Sequence, residues 1–245
     1  MPFFVPLLMV LIFQTVSFAQ DINADLVDYY QKEFAHLSGQ EIQALNQQEL
    51  QALLDDKAER TLSNGRLGWI TWEEAQVIAQ WRDQHPVVGL HRHDHYDPEN
   101  RIGFCFGRAM AVHLELIARG VSKDAIKKVF ITPSILRDHF HVVTAVRGPD
   151  GVWWAFDAKP KPEKLTDWIS RWKKDVGPKM KIHITDPAKF AGQAGRYHRL
   201  QFADSRGIDN YYKNYFLDFL KEYRQSLPGK LKFTSKQGRC ASVHR

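Results

Sequence analysis

The chain has 245 residues, enough for one sizeable domain or two small ones. Its composition, with seven tryptophans available for a core, is that of an ordinary globular protein. Two cysteines are too few for a disulfide framework, and a net charge of +6 names no partner by itself.

Residues 1–19 predict an export signal. The stretch "PFFVPLLMVLIFQTVSFA" is apolar, and "SFA" places small residues before Gln20, where cleavage is expected. We therefore expect a secreted or periplasmic protein that has no membrane contact after the signal is removed. A catalytic thiol in an exported protein must stay unpaired, so Cys105 and Cys240 are interpreted as separate thiols. A disulfide between them is the alternative.

Residues 20–99 form a predicted helical region at the N terminus. Ser38 followed by Glu41, and Thr71 followed by Glu74, are two capping boxes, each of which predicts the start of a helix. This region is either a helical layer of the domain or a removable pro-segment, and the sequence leaves both open.

Residues 100–245 form the predicted core. A helix is expected to begin near Phe104 and to stop at Gly120, and its apolar stripe consists of Ala109, Val112, His113, Leu116 and Ile117. The stretch "SKDAIKKVFITP" predicts a short helix that runs into a strand. The runs "DHFHVVTAV" and "VWWAFDA" predict two more strands around the turn "RGPDG", and "MKIHIT" predicts a fourth. Amphipathic helices are predicted around "LTDWISRW" and "DNYYKNYFLDFLKEY". Helices, then strands, then helices indicate an α+β fold.

Cys105 is placed at the start of the third predicted helix. The reactive form of a thiol is the thiolate, and a helix N-terminus or a neighbouring imidazolium favours that form. Gly103 and Gly107 are expected to let a substrate backbone come close. The alternative is a buried structural thiol, which is common for free cysteine.

The predicted hairpin brings His141 and Asp157 together. If Pro149 is the middle of a three-residue loop, His141 lies directly opposite Asp157. If the loop is 149–151, the two residues are diagonal neighbours on the same face, whereas a two-residue loop would separate them. Opposed residues on one face have Cβ atoms roughly 5 Å apart, which suits a histidine oriented by a carboxylate. Taken alone, Asp157 would be a turn residue that caps a backbone amide.

Two other histidines compete for the role of base. His139 has the same parity as His141, but the first register places it opposite Lys159, which cannot accept its proton. His113 lies eight residues beyond Cys105, about 12 Å along the helix, and is interpreted as a core or surface histidine.

The segments "CFGRA", "HVVTAV" and "AFDAKP", in this order, are similar to the bacterial protein-glutaminase (protein-glutamine deamidase) family. The resemblance implies a papain/transglutaminase-like core in which the helix that bears the nucleophile packs on an antiparallel sheet. It implies Cys105 as nucleophile, His141 as base and Asp157 as orienting carboxylate, with no cofactor. Arg108 matches the arginine of the first segment. Ala158 stands where the family has proline, and the cysteine-rich character of the family is absent.

The activity implied is hydrolysis of the side-chain amide of glutamine in a protein or peptide, with release of ammonia through a thioester. If a lysine amine replaced water, the same triad would act as a transglutaminase. If it attacked a main-chain amide, it would act as a cysteine protease. These alternatives stay open at this point.

The stretch "HRHDHYD" carries metal-ligand residue types at His91, His93 and His95. Its spacing differs by one residue from the HxHxDH motif of metallo-β-lactamase-like hydrolases, so we interpret it as a polar loop and predict no metal. A metal site at these three histidines is kept as an alternative. A non-enzymatic module that binds the cell envelope or another protein is the remaining alternative. No nucleic-acid motif accompanies the basic C-terminal tail, so nucleic acid is set aside as a partner.

Overall fold

The computed structural model describes residues 29–89, 104–132, 140–189, 215–226 and 233. The α-helices are α1 (Gly39–Leu54), α2 (Trp72–Gln84), α3 (Cys105–Ala118), α4 (Leu165–Val176) and α5 (Tyr215–Ser226). The strands are β1 (Ile126–Thr132), β2 (His141–Arg147), β3 (Trp153–Phe156), β4 (Glu163–Lys164) and β5 (Lys181–Thr185). The predicted export signal, the histidine cluster at 91–97, His139 and Cys240 all lie outside the described residues. Within the described ranges, no helix is long and apolar enough to cross a membrane.

The five strands form one antiparallel sheet in the order β4-β3-β2-β1-β5. Helices precede, interrupt and follow the strands along the chain. The predicted α+β class is therefore confirmed, and the sheet is antiparallel as expected.

The side chains of the sheet alternate between two apolar layers. On one face, α3 packs against the strands, and the Thr144 hydroxyl donates a hydrogen bond to the Ala109 carbonyl (2.5 Å). Helices α2 and α5 contribute to the same layer as α3. On the other face, α4 packs with Trp168 and Trp172, and Leu53 of α1 joins the same layer. The sheet is thus buried on both sides, which explains why β2 and β3 are buried along their whole lengths.

The N-terminal helices begin where the capping boxes predict. The Glu41 N–H donates to the Ser38 hydroxyl (3.3 Å), and the Ser38 N–H donates to the Glu41 carboxylate (2.7 Å). Thr71 and Glu74 make the same reciprocal pair at the start of α2 (3.2 and 2.9 Å). Each pair satisfies two backbone donors that a helix start would otherwise leave without an acceptor.

Helix α1 lies along the outer edge of β5. The Asn46 side chain donates to the Met180 carbonyl (2.6 Å) and accepts from the Ile182 N–H (2.9 Å). The Glu49 carboxylate accepts from the Ile184 N–H (3.4 Å). Side chains of α1 therefore take the hydrogen bonds that another strand would make.

Helix α3 buries four of the five residues of the predicted stripe, and the fifth, Ile117, is half-buried. Ala109, Val112, His113 and Leu116 are buried. The helix ends at Ala118, and Gly120 follows with a φ of +93°. That left-handed conformation is accessible to glycine at little cost, which explains why the helix stops here.

The β2–β3 hairpin turns at Pro149–Gly151. The Gly148 N–H donates to the Val152 carbonyl (2.7 Å), which closes a three-residue loop centred on Asp150. Asp150 and Gly151 both have positive φ (54° and 77°), a conformation that aspartate and glycine tolerate better than most residues. The register centred on Pro149 is therefore wrong, and the alternative register, with the loop at 149–151, is observed.

Candidate active site

Cys105 is the first residue of α3. It is a free thiol and is buried, with 7% of its surface exposed. The N-cap residue, Phe104, makes no side-chain hydrogen bond to the helix start. The N–H groups of the first turn of a helix have no acceptor within the helix. The thiol therefore sits beside backbone donors and the positive end of the helix dipole.

His141 and Asp157 are hydrogen bonded to each other. His141 is the first residue of β2, Asp157 directly follows β3, and the distance from Nε2 to Oδ1 is 2.7 Å. The observed register makes them diagonal neighbours on one face, because the last hairpin pair is Thr144 with Phe156. Both side chains are buried, so the pair is shielded from solvent.

The structure also brings His141 and Cys105 together. The Nδ1 atom of His141 is buried and has no well-formed hydrogen bond to any described residue, which leaves this nitrogen for the neighbouring thiol. Burial alone would lower the pKa of His141. The hydrogen bond to Asp157 and the proximity of the Cys105 side chain, together with the charges of both, raise it to about 9. An imidazolium between a carboxylate and a thiol is therefore the favoured charge state at neutral pH.

Two tryptophans of α4 surround the Asp157 carboxylate. Oδ2 accepts from Trp168 Nε1 (2.7 Å) and Trp172 Nε1 (3.3 Å), while Oδ1 accepts from the Ala158 N–H (2.7 Å). Burial would raise the pKa of Asp157. The hydrogen bond and charge of His141, followed by the donors Trp168 and Ala158, hold that pKa well below its usual range. Asp157 is thus a carboxylate at any pH near neutrality.

The same two indoles pack against the His141 ring. Its centroid lies 4.5 Å from the Trp172 ring and 6.0 Å from the Trp168 ring, with interplanar angles of 35° and 27°. The indoles therefore fix both the carboxylate and the imidazole. Sequence reasoning recognised the apolar stripe of α4 but not its polar role. The available signal was a pair of tryptophans four residues apart, soon after the aspartate.

Arg171 adds a positive charge to this side of the site. Its Nη2 atom lies 3.1 Å from Asp157 Oδ2 and 2.6 Å from Glu163 Oε1. The side chain is about one third exposed, so solvent screens its interaction with the buried carboxylate. Arg171 links α4 to β4 rather than contacting His141 directly.

Lys128 of β1 is a fully buried lysine close enough to Cys105 to interact with its charge. Its Nζ donates to the Lys189 carbonyl (3.1 Å) and lies 4.3 Å from the centroid of the Phe106 ring. Burial holds the pKa of Lys128 well below its usual value, and the charges of Asp186 and Cys105 oppose that effect. Lys128 is therefore within electrostatic reach of Cys105, a placement that sequence reasoning missed.

The space beside Gly107 is filled by Tyr215. A Cβ at Gly107 would lie 2.3 Å from Tyr215 Cε1, and the Tyr215 ring stacks on Phe104 with centroids 4.3 Å apart. The expectation that Gly107 admits a substrate backbone is wrong, because an aromatic ring of α5 occupies that position. Gly103 lies outside the described residues.

The other residues singled out from the sequence, His113 and Arg108, lie on α3. His113 is buried in the layer around α3, and burial followed by the charge of Lys128 lowers its pKa to about 3, so it is neutral near pH 7. Arg108 is half-buried on α3. Burial is the main cause of the lowered pKa of Arg82, and the charge of Arg108 adds to that effect. Among the described residues, no cluster of three or more histidine, cysteine or acidic residues is arranged to hold a metal ion.

Comparison with known proteins gives no relative for this chain. No family model, no curated protein and no solved structure matches it.

Proposed function

We propose that the chain is a cysteine amidohydrolase with a papain/transglutaminase-like core, acting on the side-chain amide of glutamine in proteins or peptides. One observation carries the proposal. A buried histidine is hydrogen bonded through Nε2 to a buried carboxylate, and its Nδ1 is left for a thiol at a helix start. This arrangement supplies a nucleophile, a proton carrier and an orienting group.

The first half of the reaction forms a thioester. The Cys105 thiolate attacks the amide carbon, and N–H groups at the start of α3 stabilise the developing oxyanion. The bond from carbon to nitrogen then breaks as the His141 imidazolium gives its proton to the departing amine, which leaves as ammonia. The acyl group remains on the sulfur of Cys105.

The second half returns the enzyme to its starting state. Neutral His141 removes a proton from water, and the resulting hydroxide attacks the thioester carbon. The bond from carbon to sulfur breaks, which releases a glutamate side chain and the Cys105 thiolate beside a protonated His141. Asp157 and the two indoles keep the imidazole oriented through both halves.

The protonation of His141 predicts an alkaline limit for the activity. The pKa of His141 is about 9 in the fold, so the imidazolium that protonates the leaving amine is lost as the pH rises through that value. We expect kcat/KM to fall above about pH 9, because that parameter reports the free enzyme.

The choice of glutamine and the location outside the cytoplasm rest on sequence. The motif order "CFGRA", "HVVTAV", "AFDAKP" supports a glutamine side chain as substrate, and the apolar N-terminal stretch supports secretion or a periplasmic location. The same three residues are suited to transglutaminase or protease chemistry, so the test must separate these activities.

The test incubates the purified protein with a glutamine-containing peptide and follows ammonia and peptide mass. Ammonia release with conversion of glutamine to glutamate is expected. Incorporation of an added amine would indicate a transglutaminase, and peptide cleavage would indicate a protease. Cys105→Ala is expected to abolish the activity, and Cys240→Ala, the matched control for the other cysteine, to retain it. If Cys105→Ala stays active and a chelator inhibits, the thiol mechanism is wrong and a metal site is favoured.

A further inference from the structure

Arg82 of α2 is buried with no exposed surface. Burying a guanidinium is costly unless its donors are satisfied. Its nearest acidic partner is Asp83, whose Oδ1 lies 2.7 Å from Nη2 and 3.0 Å from Nε. The remaining donors point at the chain segment that contains Asp157.

Arg82 holds that segment by its backbone. Nη1 donates to the Asp157 carbonyl, and Nη2 donates to the Lys159 carbonyl. Residues 158–161 form a bend rather than a strand, and Arg82 binds the carbonyls on the two sides of Ala158. The planar fork of an arginine can bind both, which a lysine ammonium would do less well.

The hydrogen bonds from Arg82 lie just beyond the end of the β2–β3 pairing, where no strand-to-strand hydrogen bond between described residues holds the backbone. The pairing of β2 with β3 ends at Thr144 and Phe156, one residue before Asp157. The Ala158 N–H turns back to the Asp157 side chain rather than to a neighbouring strand. Arg82 therefore holds the backbone of this segment, while His141 and Trp168 hold the Asp157 carboxylate itself.

We propose that Arg82 is a positioning residue that holds the backbone at Asp157, so that the carboxylate stays on His141. It follows that α2 belongs to the active unit and is not part of a removable pro-segment. The effect on turnover rests on the proposed amidohydrolase function, but the effect on the His141–Asp157 pair does not.

The test compares Arg82→Gln and Arg82→Lys with Arg60→Gln. Arg60 is a matched control because it also pairs with a carboxylate of α2, that of Glu74 (2.6 Å), and donates to a backbone carbonyl. Histidine-ring NMR follows the titration of His141, and ammonia release gives kcat and KM. Arg82→Gln is expected to move the His141 midpoint from about 9 towards the ordinary histidine value. It should also lower kcat by about a hundredfold with little change in KM, the effect of misplacing a group by about 1 Å.

Arg82→Lys is expected to keep the His141 midpoint and kcat between those of the wild type and Arg82→Gln. Arg60→Gln is expected to change neither quantity. A folded Arg82→Gln protein with unchanged His141 titration would overturn the positioning role. If that variant does not fold, Arg82→Lys is judged by the same criterion. If the wild-type protein releases no ammonia, the proposed function fails, while the NMR titration still decides the role of Arg82.

The inference that α2 belongs to the active unit is tested on the mature protein as its natural host produces it. The N terminus of the mature exported protein is determined by sequencing, and it is expected to precede Trp72. A fully active mature form that begins after Gln84 would lack Arg82 and would overturn the proposal, whatever the variants show.

Discussion

Replacing Asp157 with asparagine tests the electrostatic basis of the site. The substitution keeps the size of the side chain and an oxygen that can accept from Trp168, but it removes the negative charge beside His141. We expect the pKa of His141 to fall, because the hydrogen bond and charge of the carboxylate are what raise it against the effect of burial.

The size of the effect follows from the environment of the ring. The pKa of His141 is about 9, against an ordinary value near 6.5, a difference equivalent to about 3 kcal/mol in favour of the imidazolium. Burial acts in the opposite direction. With the Asp157 charge removed, the pKa should therefore drop to the ordinary value or below it. The alkaline fall of kcat/KM should move to lower pH by the same interval.

The assay is a histidine-ring NMR titration of the wild-type and Asp157→Asn proteins. Asp167→Asn is the matched control, because Asp167 is an exposed carboxylate in the first turn of α4. We expect it to leave the His141 titration unchanged. If His141 still titrates near 9 in Asp157→Asn, the carboxylate is not the origin of the raised pKa, and the reasoning is refuted.

Three further predictions concern packing, charge and acid stability. Gly107→Ala should destabilise the fold by about 1–3 kcal/mol, measured by urea unfolding, because the new methyl group overlaps the buried Tyr215 ring. Lys128→Met should slow the alkylation of Cys105 by iodoacetamide at neutral pH, because it removes the amine with which the charge of Cys105 interacts favourably. Burial, followed by the charge of a neighbouring lysine, lowers the pKa of His183 to about 3, so its contribution to stability is complete above about pH 6.5 and is lost as the pH falls towards 3. In His183→Gln, the free energy of unfolding should therefore fall less steeply than in the wild type as the pH is lowered through that interval.

Each of these predictions has a control. In the double variant Gly107→Ala/Tyr215→Ala, the loss in free energy of unfolding should be smaller than the sum of the losses in the two single variants. If the two losses simply add, the methyl group does not overlap the Tyr215 ring. Lys127→Met changes the neighbouring, half-buried lysine, which points to the other face of β1, and should leave alkylation as it is. His36 is exposed, so His36→Gln should keep the acid dependence of the wild type. If the free energy of unfolding of His183→Gln depends on pH as steeply as that of the wild type, His183 is not a source of the acid dependence.

The elements that were predicted well are those determined by local sequence. The capping boxes at Ser38 and Thr71 place the starts of α1 and α2, because the interacting groups are three residues apart. Alternation in the strands places His141 and Asp157 on one face for either three-residue loop. The position of that loop was less predictable, because it depends on Asp150 adopting a left-handed conformation that few residues favour.

The groups that support the site could not be predicted, because their contacts join distant parts of the chain. Arg82 reaches the carbonyl of a residue 75 positions away, and Lys128 approaches α3 from a different element. Trp168 looked like an ordinary member of an apolar stripe, since periodicity identifies which face is buried but not which polar atom the indole meets. A glycine in a sequence indicates conformational freedom, but at Gly107 it is the missing side chain that matters, because it makes room for Tyr215.

The covering of β5 by α1 limits how the protein meets other chains. An open strand edge is a template on which a peptide or a second copy can add a strand, either as a mode of recognition or as a route to aggregation. Asn46 and Glu49 already occupy the outward backbone groups of β5. The opposite edge is β4, which is only two residues long and charged. A chain that approaches either edge of the described sheet therefore finds little backbone to pair with, so growth of this sheet by strand addition is disfavoured.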